Sequence, residues 1–457
     1  MRSIRIGGGM GYWGDDIAAP LRLVCDGDID YLVMDFLAEV TMSILQKQKR
    51  RNPDAGYATD VVDVIRSVLP EAVERGVKIV CNAGGVNPTA CADAVLAVAE
   101  ELGLADRVKV AAILGDDLLG RVEELRSSGV SLDNTETGQS LDEIDGRLAS
   151  ANAYIGAEPL VSALRDGATI IVSGRVADPS LTLGALRHEF GWKADEWDLL
   201  SAGIVAGHLV ECGAHSSGGN HQAGWERVPD MGDIGFPIVE VDESGRIVMT
   251  KVANSGGLVD RETVIEQLLY EIGDPRRYLT PDVSCDWTSF RVTDLGNDQV
   301  EITGCTGAPA PATLKVSAAY PDGYSAVSMF LYSGPDAPGR ARKALEVIEY
   351  RVHRLGLDLE PIHHDFIGLG AVHGRRTPRT WEGEPCEVVL RVGFRGPDRA
   401  QVSRAVTELS TVFHGPPGKT NLITGRARVS ETLSYWPTLV PRDRVKPEVV
   451  MVAEVAR

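Results

Sequence analysis

Short apolar runs alternate with amphipathic stretches through the first 230 residues, and this limits the folds open to the chain more than any other feature. Strand-like runs at 3–6, 30–34, 78–81, 109–114, 153–155 and 169–172 are separated by helical patterns at 38–49, 61–74, 89–102, 116–127 and 159–164. Two further helical patterns, 179–190 and 197–210, follow the last run. Strands joined through helices run in the same direction, so the pattern predicts βαβ units and a parallel sheet. Loops leaving the carboxyl ends of such strands emerge on one edge, where ligands bind. Here those loops are rich in glycine and polar residues: 7–16 after the first run, Asp35 and Glu39 after the second, 82–88 after the third, 115–117 after the fourth and 173–178 after the sixth.

The pattern changes beyond the polar stretch 226–235, which holds Pro229 and Gly232. Runs at 237–241, 247–252, 290–293, 300–303, 313–319 and 325–332 alternate or are β-branched, as in an antiparallel sheet. Helical patterns at 260–272, 338–355 and 397–412 and strands at 387–392, 426–433 and 449–454 complete this half. The expected architecture is α/β: a parallel-sheet βαβ N-terminal domain over 1–230 carrying most site motifs, with a second α+β lobe over 231–457. A chain of 457 residues suits two cores. The polar stretch 374–385 reads as a mobile loop.

Charge and cysteine usage narrow the functional classes. Acidic residues outnumber basic ones 65 to 46, a net charge of −19, which disfavours broad contact with nucleic acid or an anionic membrane surface. A small anionic substrate remains possible, because a few arginines or helix N-termini suffice for one. The seven cysteines are scattered singly without a CxxC pair, so a disulfide framework is not expected and a cytoplasmic setting is. Neither a signal-peptide pattern nor an apolar run of about 18 residues is present.

Reactive side chains concentrate at 205–225, where an apolar run ends in Glu211-Cys212-Gly213 and a glycine- and serine-rich loop carries His215, Asn220 and His221. Glu211 suits proton transfer in a dry site. Cys212 suits a nucleophile, although a single thiol near glycine is more often a small packed residue. Glu211, His215 and His221 could in principle hold a divalent metal, although their spacing matches no strong signature and no metal ligand is assigned. Asp178 reads as a general base and Arg175 as an anion clamp; the alternative is an N-cap paired with its neighbouring arginine. Asn82, Gly85 and Asn87 precede a helix whose free amides could hold an anion, or Asn87-Pro88 is simply a cap. Lys315 interrupts an apolar strand, facing either the site or solvent. Residues 9–14 fit G-x-G-x-x-G, with Asp35 placed where a dinucleotide fold puts its ribose carboxylate. Tyr12, Trp13, Asp15 and Asp16 crowd that loop, and the other reading of it is a tight turn. The cluster His363-His364-Asp365 and His373 lie in the second half and read as surface or inter-lobe residues.

Together, segment 30–42, the 82–88 loop, Gly174-Arg175 with Asp178, 211–214 with 218–220, 267–271, 278–283 and 312–316 resemble the acyclic terpene utilisation (AtuA-like) family across nearly the whole chain. The resemblance implies degradation of terpenoids through coenzyme A thioesters, with some members assigned as lyases. Positions 215 and 221 hold histidines where members often have Gln and an aromatic residue, so the resemblance implies no metal site built on them.

The expected function is cytoplasmic acid–base catalysis on a small carboxylate or acyl-CoA thioester, by a lyase, hydratase or isomerase in terpenoid or branched acyl catabolism. Glu211, Asp178, Cys212 and His215 are the candidate catalytic residues. Gly11, Asp35, Glu39, Asn82, Gly85, Asn87, Arg175, Asn220 and His221 are the candidate binding residues. No cofactor is required, a coenzyme A thioester being a possible substrate, and a homo-oligomer is the expected assembly. The alternatives are an NAD(P)-dependent oxidoreductase using residues 9–14 and a non-catalytic subunit or scaffold.

Overall fold

Strand β1 (Ser3–Met10) is buried along most of its length and sits at the middle of the main sheet. In the computed structural model, residues 2–144, 146–377, 385–414, 417–418 and 420–452 are described. From β1 the chain runs through α1 (Ala19–Asp26), β2 (Tyr31–Met34), α2 (Glu39–Arg51), α3 (Asp60–Arg75), β3 (Lys78–Cys81), α4 (Pro88–Glu101), β4 (Val110–Leu114) and α5 (Val122–Ser127). Then come β5 (Ser150–Ala153), α6 (Glu158–Arg165), β6 (Ile170–Ser173), α7 (Asp178–Phe190) and α8 (Trp197–Val210). Strands β1, β2, β3, β6 and β4 lie side by side and are parallel, as the alternation of elements requires. Their residues are almost all buried, the signature of a sheet covered on both faces. One cover is formed by α3 and α4, whose Val61, Val64, Ile65 and Val68 and Cys91, Ala92 and Val95 repeat at helical spacing into one core.

Helix α8 is buried throughout Leu200–Val210 and packs closely on α7. Glycines make that approach possible: a β-carbon at Gly207 would stand 2.4 Å from the Pro179 carbonyl oxygen, and one at Gly203 2.5 Å from Leu183 Cδ1. This contact draws the start of α7 toward the end of α8, and so Asp178 toward Glu211.

The expected boundary near residue 230 is not where the chain divides. Strand β7 (Pro237–Asp242) pairs antiparallel with β1, and β8 (Ile247–Lys251), β11 (Arg291–Asp294) and β12 (Val300–Thr303) extend the same sheet to ten strands. Its other edge is closed by Glu448–Val452, antiparallel to β4. The intervening α9 (Arg261–Leu269) starts with an Asp260 cap that accepts from Glu262 and Thr263 amides. A small sheet of β9 (Tyr278–Leu279), β10 (Ser284–Asp286) and β13 (Thr306–Ala308) packs near α8. Residue-to-residue contacts separate one unit, 1–319 with 435–457, from a second, 320–434.

Strand β5 corrects a second expectation. It does not enter the parallel sheet; it pairs antiparallel with Val316–Ala319 at the start of β14 (Thr313–Ser333). The strand expected at 426–433 lies at Ser430–Pro441.

In the second unit, an antiparallel sheet of β15 (His363–Ile367), β16 (Glu387–Gly396), the later part of β14 and Asn421–Leu422 carries α10 (Ala337–Arg354) and α11 (Arg399–Glu408). Phe330, Leu390, Val392, Ile348 and Val402 form its core. His363, His364 and His373 are exposed there, and Asp365 bonds Arg391 at 2.8 Å. Most of the loop expected at 374–385 lies outside the described residues. No helix among the described residues is long and apolar enough to cross a membrane.

Candidate active site

Parallel register brings the polar loops of the first unit together. Met10 pairs with Met34, Met34 with Cys81, Cys81 with Val172 and Ile113 with Ser173, so Gly11, Asp35, Asn82, Gly174-Arg175 and Asp116 leave one edge. A cavity of about 880 Å³ opens there, wholly within the first unit. Gly11, Asp35, Glu39, Arg175, Asp178, Glu211, Cys212 and His215, all expected at the site, line it.

The buried Asp35 carboxyl, the half-buried Asp178 carboxyl and a guanidinium form one wall. Asp35 accepts hydrogen bonds from the Leu37 amide (2.9 Å) and from Asn82 Nδ2 (2.6 Å), while Asn82 Oδ1 accepts from the Phe36 amide (2.7 Å). Asn82 therefore acts behind the wall, fixing the Asp35 loop. Arg175, almost fully buried, donates to the Leu37 carbonyl (2.9 Å) and lies 4.3 Å from the centre of the Tyr154 ring. Its Nη2 stands 2.7 and 3.1 Å from the two Asp178 oxygens, while its Nε has no hydrogen-bond partner. Asp35 and Asp178 are also within hydrogen-bonding reach of each other. Burial pushes Asp35 up to about 6 and Asp178 well above the carboxylate range, against the pull of Arg175. Like charges this close oppose ionisation of both, so the pair favours keeping one proton. Arg175 cannot leave its charged form, since its acidic neighbours outweigh the cost of burial.

Asp116 sits behind this wall. Its Oδ2 accepts from the Arg175 amide and from Asn152 Nδ2, both at 2.9 Å. A β-carbon at residue 174 would fall 2.3 Å from Asp116 Oδ1, so only glycine fits the turn that presents Arg175.

The end of α8 supplies a further part of the lining. Glu211 Oε1 lies 2.8 Å from His208 Nδ1, and Oε2 has no hydrogen-bond partner. Burial raises the Glu211 carboxyl despite the neighbouring imidazole. His215, on the following turn, packs edge-on against Tyr270 with ring centres 5.2 Å apart. Its Nδ1 is buried without a partner, and burial holds the ring below its ordinary range, so it is a neutral imidazole. Burial and the adjacent Glu211 raise the Cys212 thiol far above neutrality. These surroundings favour the thiol over the thiolate a nucleophile needs.

A third wall pairs Glu39 Oε1 with the Tyr154 hydroxyl (3.2 Å) and Lys315 Nζ (3.3 Å). Lys315 Nζ lies 5.0 Å from the Tyr154 ring centre, so this lysine belongs to the site. Burial opposes the charge of Glu39, and its own amide and Lys315 outweigh it, leaving that carboxylate below its ordinary range. Sequence reasoning missed His208, Tyr154, Tyr270 and Tyr278. The visible trace of His208 was a lone polar ring three residues before Glu211 in an apolar helix.

Other expected binding residues serve the fold. Asn87 donates to the Pro53 and Ala55 carbonyls, both at 2.8 Å. Gly85 takes a positive φ of 52° against Leu45. His221 lies between Glu266 (3.0 Å) and Arg227 (3.1 Å). Neither these three nor Asn220 is among the residues that line the cavity. His221 thus lies apart from Glu211 and His215, and no group of three or more His, Cys, Asp or Glu among the described residues could hold a metal ion. The 9–14 glycines also have structural work. A β-carbon at Gly8 would stand 2.1 Å from the Val210 carbonyl oxygen and one at Gly11 2.5 Å from the Cys212 carbonyl carbon. The Gly11 amide is bonded to Asp15, and α1 starts only at Ala19, so no helix N-terminus meets this loop. Both features depart from a dinucleotide site.

Among curated proteins, none matches the chain. A solved structure that aligns with it is prephenate dehydratase from Streptococcus mutans, 14% identical, covering 37% of this chain and 67% of that one. Its TM-score of 0.13 is too low to carry an argument about fold. The family match is of another order: the family described as acyclic terpene utilisation family protein AtuA matches residues 4–451. With the match running from the first strand to the last, the chain belongs to the acyclic terpene utilisation family.

Proposed function

We propose that the chain is an enzyme performing acid–base chemistry beside a carbonyl, as a lyase, hydratase or isomerase, on a small carboxylate or acyl-CoA thioester of terpenoid or branched acyl catabolism. The observation that carries this reading is the presence of two proton-holding groups in one cavity. Glu211 has one oxygen tied to His208 and the other unpartnered, and the Asp35–Asp178 pair lines the same cavity close by. Groups whose surroundings hold their protons near neutrality suit general acid and general base roles. Glu211 takes a proton from a carbon or hydroxyl of the substrate. Asp178, the more strongly raised member of its pair, returns one to the departing or accepting atom. The unpartnered Arg175 Nε–H and the Lys315 ammonium hold the carbonyl or carboxylate oxygen on which charge develops. The cavity is of a size usual for small-ligand sites.

The test is turnover. A panel of branched acyl-CoA thioesters and short di-acids is screened by thermal shift, and the binders are assayed for product. Glu211→Gln and Asp178→Asn are each expected to lower kcat by about 100-fold or more, the usual worth of a general acid or base. Undiminished turnover in both variants refutes the reading.

A further inference from the structure

We infer that His208 is a positioning residue that holds a proton against Glu211 Oε1 and so assigns substrate proton transfer to Oε2. The inference rests on the proposed role of Glu211. Along the buried stretch Leu200–Val210, His208 is the one ionisable side chain. A polar ring in such surroundings is costly unless both nitrogens are satisfied, and both are. Nε2 lies 2.7 Å from the Gln267 carbonyl oxygen, and Gln267 Nε2 donates back to the His208 carbonyl at 2.8 Å. A carbonyl can only accept, so Nε2 carries a hydrogen. In the neutral ring this leaves a lone pair on Nδ1, facing Glu211 Oε1 at 2.8 Å.

Two arrangements keep a hydrogen in that 2.8 Å contact. Either the neutral ring accepts from the Glu211 acid, or an imidazolium donates to the Glu211 carboxylate. With both groups deprotonated, a lone pair would face an anion without water to separate them. One proton therefore stays between Nδ1 and Oε1, and Oε2 is the oxygen left for substrate. When Oε2 takes a proton, the substrate C–H or O–H bond breaks and its electron pair stays on the substrate. The shared proton ends on Nδ1, giving an imidazolium beside a Glu211 acid protonated at Oε2; the return step reverses both movements. The groups that act on this pair are Asp178 of α7, Glu271 after α9 and Tyr278 of β9, with Asp35 and Cys212 coupled to Glu211. The edges of the Trp287 and Tyr278 rings close over the imidazole, with centres 5.5 and 6.3 Å away.

The experiment has an arm that needs no substrate. The full chain is labelled with 15N-histidine, and the His208 ring is assigned by its loss in His208→Gln. The expected spectrum shows hydrogen on Nε2 across the pH range and an Nδ1 whose titration moves to lower pH in Glu211→Gln. An Nδ1–H tautomer, or a titration indifferent to Glu211→Gln, overturns the inference even if Glu211 proves catalytic. Should His208→Gln fail to fold, single substitutions of the other eight histidines assign the His208 ring by elimination, and Glu211→Gln keeps the imidazole, so this arm still reads the tautomer. In the kinetic arm, His208→Gln lowers kcat more than it changes KM. The limb of the pH–rate profile set by Glu211 moves to higher pH, because the cation that favours the carboxylate is gone. An unmoved limb with unchanged kcat overturns the inference. Loss of turnover in Glu211→Gln tests the proposed reaction separately.

Discussion

Asp116→Asn gives the sharpest view of the electrostatic cost of this site. Asp116 is 2% exposed, and burial pushes its carboxyl up to about 6 despite hydrogen bonds from Arg175 and Asn152. In the unfolded chain it titrates near about 3.9. The folded value is the higher one, so the native state binds the proton more tightly. Its contribution is present below the unfolded value and is lost as pH rises through about 6. Over the whole window the loss is about 3 kcal/mol, of which about 1.4 kcal/mol falls between about pH 5 and about pH 7.5. Asparagine offers the same acceptor to the two N–H donors and cannot ionise. The assay is urea unfolding followed by tryptophan fluorescence at both pH values. Six of the seven tryptophans belong to the first unit, so the signal reports on the unit that holds the site. Between the lower and the higher pH, wild type should lose about 1.4 kcal/mol more stability than the variant. The comparison cancels titrations common to both proteins. Equal pH dependence in the two, or a larger loss in the variant, refutes the reasoning.

Three other outcomes follow from the same geometry. Gly174→Ala would place a β-carbon 2.3 Å from Asp116 Oδ1, so it should cost about 2 kcal/mol or more in urea melts, whereas Gly120→Ala, with open space around it, should cost little. Cys212→Ser should keep turnover within a few-fold, and alkylation at neutral pH, read by mass spectrometry, should label exposed Cys386 well before Cys212. Titration with NADH or NADPH should leave cofactor fluorescence unchanged, because the Val210–Cys212 backbone packs against Gly8 and Gly11.

The parallel half of the sheet was legible because runs such as Ile79–Cys81 and Ile170–Val172 are apolar throughout, as strands buried on both faces must be. Once those strands are placed, Asp35, Arg175 and Asp116 fall on one edge without further information. The position of the dividing line was not legible. Alternation in Pro237–Asp242 reports which side chains are covered, and it reads the same whether the strand starts a new sheet or extends β1. Loop residues were ambiguous for a related reason. Asn87 and His221 are polar and lie beside glycines, but their hydrogen bonds are used to hold their own neighbourhood. Glu211 was visible as a carboxylate ending an apolar run. Its partner His208 was not, because a contact three residues back along a helix leaves no pattern that separates a relay from a buried ring.

The charge balance of the cavity ties these observations together. Asp35, Glu39, Glu136, Asp178, Glu211 and Glu271 line it against Arg175 and Lys315, within a chain of net charge −19. Six ionised carboxylates would repel the carboxylate or coenzyme A phosphates proposed to enter. Glu39 stays ionised, held by Lys315, and Arg175 stays charged beside Asp178. The remaining burden falls on the Asp35–Asp178 pair and on Glu211 with His208, and in each the geometry favours keeping one proton. With those two protons in place, the lining gives up two of its six negative charges while keeping both fixed cations, so it repels an anion less. The protons that let an anion approach are the same protons the proposed chemistry moves. Ligand affinity should therefore weaken as pH rises above neutrality, in step with activity, and a binding isotherm that stays flat while activity declines would separate the two and break the link.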